Sequence, residues 1–268
     1  MTQPNLLTDP DALRRNRDRA TTDGLFLQDT ARDELQDRVD LVNKPFLAPA
    51  VVTAFPQIWP TSYPVVADTD VLQLEPGAHD LVIHSLGLHW ANDPVGQLIQ
   101  CRRALKPDGL LLAASLGGQT LHELRSSLAE AEIALNGGLS PRVAPMADLR
   151  DLGALLQRAG LALPVADSVP LRVKYRDMWH LMRDLRAMGE TNALATRLRR
   201  PTARALFERA ADIYAATFAD GDGIIATFEL VILTGWAPDA SQPQPLRPGS
   251  ATARLADALG ADETPLPD

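Results

Sequence analysis

Cysteine is almost absent from this chain of 268 residues, since Cys101 is its only thiol. An intrachain disulfide is therefore impossible, and a metal site built from several cysteines is excluded. We predict no metal site of any kind. A chain without disulfides is typical of a reducing compartment, and the first residues lack the apolar segment of a signal peptide. The sequence therefore predicts a cytoplasmic protein.

Excess positive charge and long apolar runs are also missing. The formal net charge is -8 and the sequence pI is about 5.1, whereas binding to a phosphate backbone requires clustered positive charge. We therefore expect no nucleic-acid partner. No run reaches the roughly 18 apolar residues that a membrane span needs, so we expect no transmembrane segment.

The N-terminal segment contains a short run of basic residues: Arg14, Arg15, Arg17 and Arg19. Aspartates are interleaved with them, and mixed charge of this kind is typical of a solvated helix face. Contact with an anionic lipid or an acidic partner is the alternative. Apolar residues then recur at spacings of three and four up to Val42, which predicts a helix.

Short apolar runs alternate with amphipathic stretches in the middle of the chain. The expected strands are residues 50–53, 65–67, 80–85, 110–116, 171–175 and 224–236, the last one antiparallel. The expected helices start at Asp93-Pro94 and cover residues 121–135 and 148–159. Aspartate followed by proline is typical of a helix start. The alternation predicts an α/β domain with a mainly parallel sheet.

Other segments predict additions to this α/β domain. Helical patterns at residues 177–198 and 202–218 predict an insert before the last strand. Four prolines lie between residues 238 and 248, which is typical of a tail. The predicted division is an N-terminal helical extension, a core in two parts, a helical insert and a proline-rich C-terminal tail: residues 1–45, 46–175 with 222–237, 176–221, and 238–268.

Three blocks of sequence resemble one protein family. They are DLVIHS at 80–85 with LHWAND at 88–93 and RALKPDG at 103–109, then RDLRAMGETN at 183–192, then ATFE at 226–229 with LTGW at 233–236. The first block resembles the class I S-adenosylmethionine-dependent methyltransferases, especially the malonyl-carrier-protein methyltransferase of biotin synthesis and the methyltransferases related to mitochondrial complex I assembly factor 5. The other two blocks resemble the assembly-factor branch rather than the biotin branch.

This resemblance implies a fold, a cofactor and a partner. The fold would be a reduced class I methyltransferase fold, which is Rossmann-like, with the helical extension and insert added. The cofactor would be S-adenosylmethionine. The assembly-factor branch implies a respiratory-complex subunit as partner, and its members are implicated in arginine hydroxylation rather than methylation.

The glycine-rich turn that normally follows the first strand is missing. Such a turn lets backbone N–H groups approach the cofactor, and an acidic residue after the second strand takes the ribose hydroxyls. No glycine occurs between Gly24 and Gly77. Residues 54–64 alone separate the first two strands, whereas a complete strand-helix-strand unit takes about 30 residues. The sequence therefore predicts that S-adenosylmethionine binding is weakened or lost.

Candidate cofactor contacts remain after two of the strands. In the family an acidic residue after the third strand commonly meets the adenine amino group, and Asp68 matches that position. Thr69 and Ser85 complete this set. A helix or turn cap is the alternative role for Asp68.

His89 and Trp90 are the candidate catalytic residues, because ligands in open α/β sheets bind at the carboxyl ends of the strands. His89 could act as a base; the alternative is a core histidine bonded to a carbonyl. Trp90 would cover the cofactor pocket in relatives and could simply fill space here.

A polar cluster in the predicted insert is the candidate site for a substrate or partner: Arg183, Arg186, Glu190 and Asn192. A salt-bridge network that fixes the insert is the alternative. Three functional hypotheses follow, namely S-adenosylmethionine-dependent methyl transfer, modification or chaperoning of a respiratory complex I subunit, and a non-catalytic scaffold that binds a protein partner. Fold alone cannot choose among them.

Overall fold

The structure is a computed structural model that describes residues 6–243 and Gly260; most of the predicted tail lies outside the described residues. The helices are α1 (Pro10–Arg17), α2 (Phe26–Leu41), α3 (Pro94–Ala104), α4 (His122–Asn136), α5 (Leu149–Arg158), α6 (Met178–Ala187) and α7 (Arg204–Thr217). The strands are β1 (Pro49–Thr53), β2 (Val65–Ala67), β3 (His79–His84), β4 (Leu105–Leu116), β5 (Ala162–Tyr175), β6 (Ala219–Asp220) and β7 (Gly223–Trp236). Within the described ranges, no helix is long and apolar enough to cross a bilayer.

The strands form one sheet in the order β2-β1-β3-β4-β7-β5, with β6 paired to β7. Strands β2, β1, β3 and β4 pair in parallel, and β7 runs antiparallel to both β4 and β5. Every strand of this path except β7 therefore points the same way. The predicted α/β fold, with a mainly parallel sheet and a final antiparallel strand, is confirmed.

Local sequence explains where several helices begin and end. Asp93 accepts the N–H of Gly96 (2.8 Å) and so caps α3, whose first residue is a proline. Asp148 caps α5 in the same way, with the N–H of Asp151 at 2.8 Å. Gly137 ends α4 at a φ of 67°, a conformation that favours glycine.

Alternate strand residues face two different helix layers, because successive side chains of a strand point to opposite faces. Leu81, Leu110 and Leu112 pack with residues of α2, α4, α6 and α7. Val82 and Leu111 pack with residues of α3 and α5. The central strands are therefore buried on both faces, which explains their almost unbroken apolar sequence.

The insert between β5 and β7 contains less helix than the sequence predicts. Its first helix, α6, ends at Ala187, although the apolar spacing predicted a helix to residue 198. Gly189 has a φ of 80°, which ends the helix in the left-handed region. Residues 188–203 contain no helix and are called the insert loop below.

The N-terminal segment is attached to α6 and the insert loop. The amide of Asn16 donates to the carbonyl of Thr191 (2.8 Å), and the N–H of Thr21 donates to the carbonyl of Ala187 (2.8 Å). A Cβ atom at Gly24 would overlap the backbone of Ala187, so the close approach requires glycine. The first predicted helical segment thus packs against a segment that lies far away in sequence.

The connection between β1 and β2 is as short as the sequence predicts. It contains one turn of 3-10 helix, Pro56–Ile58, and no α-helix, although a parallel connection usually carries one. The structure corrects one expectation. The match of Asp68 to the acidic residue after the family's third strand implies that residues 65–67 are that third strand. The structure pairs them directly with β1, so they occupy the place of the second strand.

We expect Leu112→Ala to lower the free energy of unfolding by about 2–5 kcal/mol, because it leaves a cavity in the larger of the two packed layers. Leu112 is 1% exposed and lies on a central strand. The control is Leu41→Ala at the end of α2, which is 84% exposed and should change stability by less than about 0.5 kcal/mol. Urea unfolding followed by circular dichroism measures both. Equal losses of unfolding free energy in the two variants would contradict the burial of Leu112 in this layer.

Candidate functional site

Four polar residues from four parts of the chain meet at the carboxyl edge of the sheet: Arg17, Asp68, His84 and Gln97. We call them the Arg17 cluster. Arg17 forms a salt bridge with Asp68 (2.8 Å), and the two side chains are 14% and 7% exposed. The imidazole Nε2 of His84 donates to the amide oxygen of Gln97 (2.6 Å) and lies 3.8 Å from the Asp68 carboxylate.

The Arg17 cluster lies over the end of β1. Asp68 follows β2 and His84 ends β3, and β1 lies between these two strands. The side chain of Asp68 therefore crosses the end of β1 to approach His84. It also packs so closely on Gly87 that a Cβ atom there would overlap the carboxylate. In this fold the space above the end of the first strand is where a nucleoside cofactor is held.

Burial and charge decide the protonation states in the Arg17 cluster. Burial raises the pKa of Asp68, but the positive charge of Arg17, and that of His84 when it is protonated, outweigh this effect and hold the pKa of Asp68 below its usual value. Burial also lowers the pKa of His84, so this imidazole is neutral at pH 7. The ion pair that persists at neutral pH is therefore Arg17 with Asp68.

The turn after β1 uses most of its own N–H groups internally. The N–H of Phe55 donates to the hydroxyl of Thr53 (3.1 Å), and Pro56 has no N–H. The N–H groups of Ile58 and Trp59 donate to the carbonyls of Phe55 and Pro56, each three residues earlier. No residue between β1 and β2 has a positive φ. The turn therefore does not fit the backbone cradle that S-adenosylmethionine would need.

A polar cavity of about 370 Å³ lies between α1 and the carboxyl edge of the sheet. We call it the edge cavity. Arg14, Arg17 and Asp18 line it on the side of α1, and Asp68 and Asn92 line it on the side of the sheet. Its walls thus carry charges of both signs.

A second cavity, of about 350 Å³, lies between α4, α6 and the insert loop. We call it the apolar cavity. Its walls include Leu116, Leu124, Leu128, Met182, Phe207 and Phe228. Trp90 lines both cavities. The candidate catalytic tryptophan therefore separates a polar space from an apolar one.

Glu190 in the wall of the apolar cavity accepts hydrogen bonds from both candidate catalytic residues. The indole N–H of Trp90 donates to its Oε2 (2.7 Å), and the Nε2 of His89 donates to the same oxygen (3.1 Å). The side chain of Glu190 is 8% exposed. Burial works against its charge, but His89, the hydrogen bond of Trp90 and the charge of Arg17 hold its pKa below the usual value.

The remaining predicted site residues lie in different places. The hydroxyl of Thr69 donates to the carbonyl of Val71 (2.9 Å), and Ser85 is buried with no partner for its hydroxyl among the described residues.

The predicted polar cluster of the insert does not stay together. Asn192 lines the apolar cavity and donates to the carbonyl of Pro141 (2.7 Å). Arg183 and Arg186 are exposed on α6 and line neither cavity. The predicted polar cluster of the insert is thus divided between a cavity wall and the surface.

Two arginines that were not among the predicted site residues stabilise this region. Arg17 was expected on a solvated helix face, and that expectation is wrong because its partner Asp68 is buried. Arg142 forms a buried salt bridge with Glu132 (2.7 Å). No local signal distinguishes these arginines from solvated ones, because each partner comes from another segment. In the part of the chain that the structure describes, no group of three or more His, Cys, Asp and Glu residues is arranged to hold a metal ion.

Comparisons with known proteins agree with this architecture. A family described as "Methyltransferase domain" matches residues 47–113. The chain is 41% identical over 197 residues to "Arginine-hydroxylase NDUFAF5, mitochondrial" of Danio rerio, a match that covers 72% of this chain and 60% of that protein. It is 37% identical over 185 residues to "Malonyl-[acyl-carrier protein] O-methyltransferase" of Laribacter hongkongensis, covering 69% of this chain and 60% of that protein.

The matched segment spans about 60% of the length of these two curated relatives. Among solved structures, the YcgJ protein of Bacillus subtilis superposes with a TM-score of 0.47 and 12% sequence identity, covering 78% of this chain and 100% of that one.

We expect Arg17→Met to lower the free energy of unfolding by about 3–5 kcal/mol, because it leaves the buried Asp68 carboxylate without its cation. The double variant Arg17→Met/Asp68→Asn should lose less, since the uncompensated charge is gone. Urea unfolding of Arg17→Met, of Asp68→Asn and of the double variant measures the coupling free energy between the two side chains. Arg14→Met is the control, because Arg14 is 68% exposed. Losses that simply add in the double variant would contradict the buried ion pair.

Proposed function

We propose a function from the premise that this chain belongs to the class I S-adenosylmethionine-dependent methyltransferase family. The chain is a member in which the methyl-donor site is reduced, so that S-adenosylmethionine binds weakly or not at all. Its main task is to bind a segment of a partner protein, and the partner is a subunit of respiratory complex I during assembly. We place this chain in the cytoplasm, whereas the arginine-hydroxylase relatives are named as mitochondrial proteins.

One observation carries the reduced donor site: the Arg17 cluster lies over the end of β1. A nucleoside there would have to displace the Arg17–Asp68 salt bridge (2.8 Å). It would also leave two buried charges unpaired, which costs several kcal/mol. The N–H groups that would compensate in an ordinary member are already used within the turn after β1.

Two observations support a protein partner. The relatives with the higher identity are named arginine-hydroxylases. The sequence blocks of this chain that resemble the complex I assembly-factor branch lie in the insert, at 183–192, and in the last strand, at 226–236. The apolar cavity lies against that insert and is walled by leucine, methionine and phenylalanine side chains. Cavities of this kind bind apolar groups that a few polar groups orient.

Methyl transfer remains the second candidate function, and the edge cavity favours it. This cavity of about 370 Å³ reaches the carboxyl end of the sheet and is lined by Asp68, Thr69 and Asn92. Under this alternative, a ligand enters from the side of α1 and Asp68 exchanges Arg17 for a ligand donor. The two candidates differ in how tightly S-adenosylmethionine binds.

We expect calorimetric titration with S-adenosylmethionine to give no saturable heat up to about 1 mM ligand, a limit that corresponds to less than about 4 kcal/mol of binding free energy. The physical reason is the cost of displacing the Arg17–Asp68 salt bridge. Circular dichroism and a cooperative unfolding transition show that the sample is folded.

Micromolar binding would contradict the reduced donor site and favour methyl transfer. In that event Asp68→Asn should weaken the binding, whereas Glu75→Gln, a change of an exposed carboxylate outside both cavities, should not. Equal behaviour of the two variants would place the ligand away from Asp68.

We expect deletion of the gene to reduce the amount of assembled respiratory complex I on native gels and to leave unassembled subunits, because the segment that this protein binds is then unprotected or unmodified. The wild-type gene should restore assembly. Mass spectrometry of the arginine peptides of the subunits separates modification from chaperoning. Normal assembly with unchanged peptides would contradict the proposed partner.

A further inference from the structure

We propose that Glu190 is the receptor for an arginine side chain of the partner segment, which enters the apolar cavity and pairs with its carboxylate. This inference rests on the proposed function, since it assigns the group that recognises the partner. The observation behind it is a buried carboxylate whose two oxygens have different surroundings.

The carboxylate of Glu190 is held through one oxygen only. Both donors, the indole N–H of Trp90 and the Nε2 of His89, bind Oε2 at 2.7 and 3.1 Å. Within the described residues, Oε1 accepts no hydrogen bond, although the side chain is more than nine-tenths buried. Because Glu190 lines the apolar cavity, this unpartnered oxygen is available to a ligand there.

The basic residues around the cavity already have carboxylate partners. Arg142 pairs with Glu132 (2.7 Å), and Arg197 pairs with Asp9 (2.9 Å). Arg17, which also acts on Glu190, pairs with Asp68. His89 contacts Glu190, and no lysine or arginine forms a salt bridge with it in the described part of the chain. Among the described residues, no guanidinium or ammonium group therefore lies within salt-bridge distance of the Glu190 carboxylate, so that a cationic side chain from a partner could take this place.

The cavity suits a side chain with an apolar stem and a cationic head. Leu124, Met182 and Phe228 can contact the methylene groups, as long basic side chains bury their stems along apolar surface. A buried charge-assisted hydrogen bond to Oε1 would hold the head.

Arginine fits better than lysine, because the planar guanidinium can stack on the ring of Trp90 while it donates to the carboxylate. Trp90 is itself fixed by its hydrogen bond to Glu190. The aromatic face and the carboxylate are thus held in one orientation before the ligand arrives, which reduces the entropic cost of binding.

The test uses three small probes on the full chain: N-acetyl-arginine methylamide, the lysine analogue and the citrulline analogue, which has the shape of arginine without its charge. The indole N–H resonance of Trp90, assigned with Trp90→Phe, reports binding in nuclear magnetic resonance titrations. We expect the arginine probe to bind at least about tenfold more tightly than the citrulline probe, as for one charge-assisted hydrogen bond.

Glu190→Gln keeps the shape of the side chain and should abolish this preference, while Glu75→Gln, on an exposed residue outside both cavities, should retain it. Equal binding of arginine and citrulline probes to the wild type would overturn the proposal, and this result needs no variant. Absence of binding of every probe would overturn it as well. Lysine binding equal to arginine would overturn the preference for a guanidinium.

The proposed function can fail separately. If the deletion strain fails to assemble complex I but the protein binds no arginine probe, the proposed partner is supported and only the role of Glu190 is contradicted. If the arginine probe binds at Glu190 but the deletion strain assembles complex I normally, the role of Glu190 is supported and complex I is contradicted as the source of the arginine.

Discussion

The direct pairing of β1 with β2 is the constraint on which the rest of the site depends. Because residues 54–64 hold no α-helix, the short connection leaves Asp68 beside the end of β1, within reach of His84 at the end of β3. A buried carboxylate in that position requires a cation, and Arg17 of α1 supplies it. The N-terminal helix is therefore part of the site, and its attachment to the insert loop through Asn16 fixes the wall of the edge cavity.

The fold was largely predictable from the sequence because its signals are local. Buried strands appear as apolar runs, and caps such as Asp93 and Asp148 mark helix starts within a few residues. The pairing of Arg17 with Asp68 joins residues 51 positions apart, and an arginine among aspartates has the same local pattern whether it is buried or solvated. The predicted helix to residue 198 was wrong because one residue, Gly189, adopts a left-handed conformation.

The candidate site was predictable only in its parts. His89 and Trp90 were expected at the edge of the sheet, and Glu190 was expected in the insert. Nothing in the sequence indicated that His89 and Trp90 both donate to the same carboxylate oxygen of Glu190. Their meeting requires the insert loop to fold back over the end of β3, and this path is set by contacts with α1. The two arginines predicted beside Glu190 are exposed because α6 places them on its outer face.

The position of Trp90 between two cavities has a thermodynamic consequence. Its indole forms part of both walls and is anchored by a single hydrogen bond to Glu190. A molecule that shifted the ring from one side would alter the volume and the hydrogen bonding on the other side. Affinities in the two spaces would then depend on each other, and by linkage the effect would have the same size in both directions.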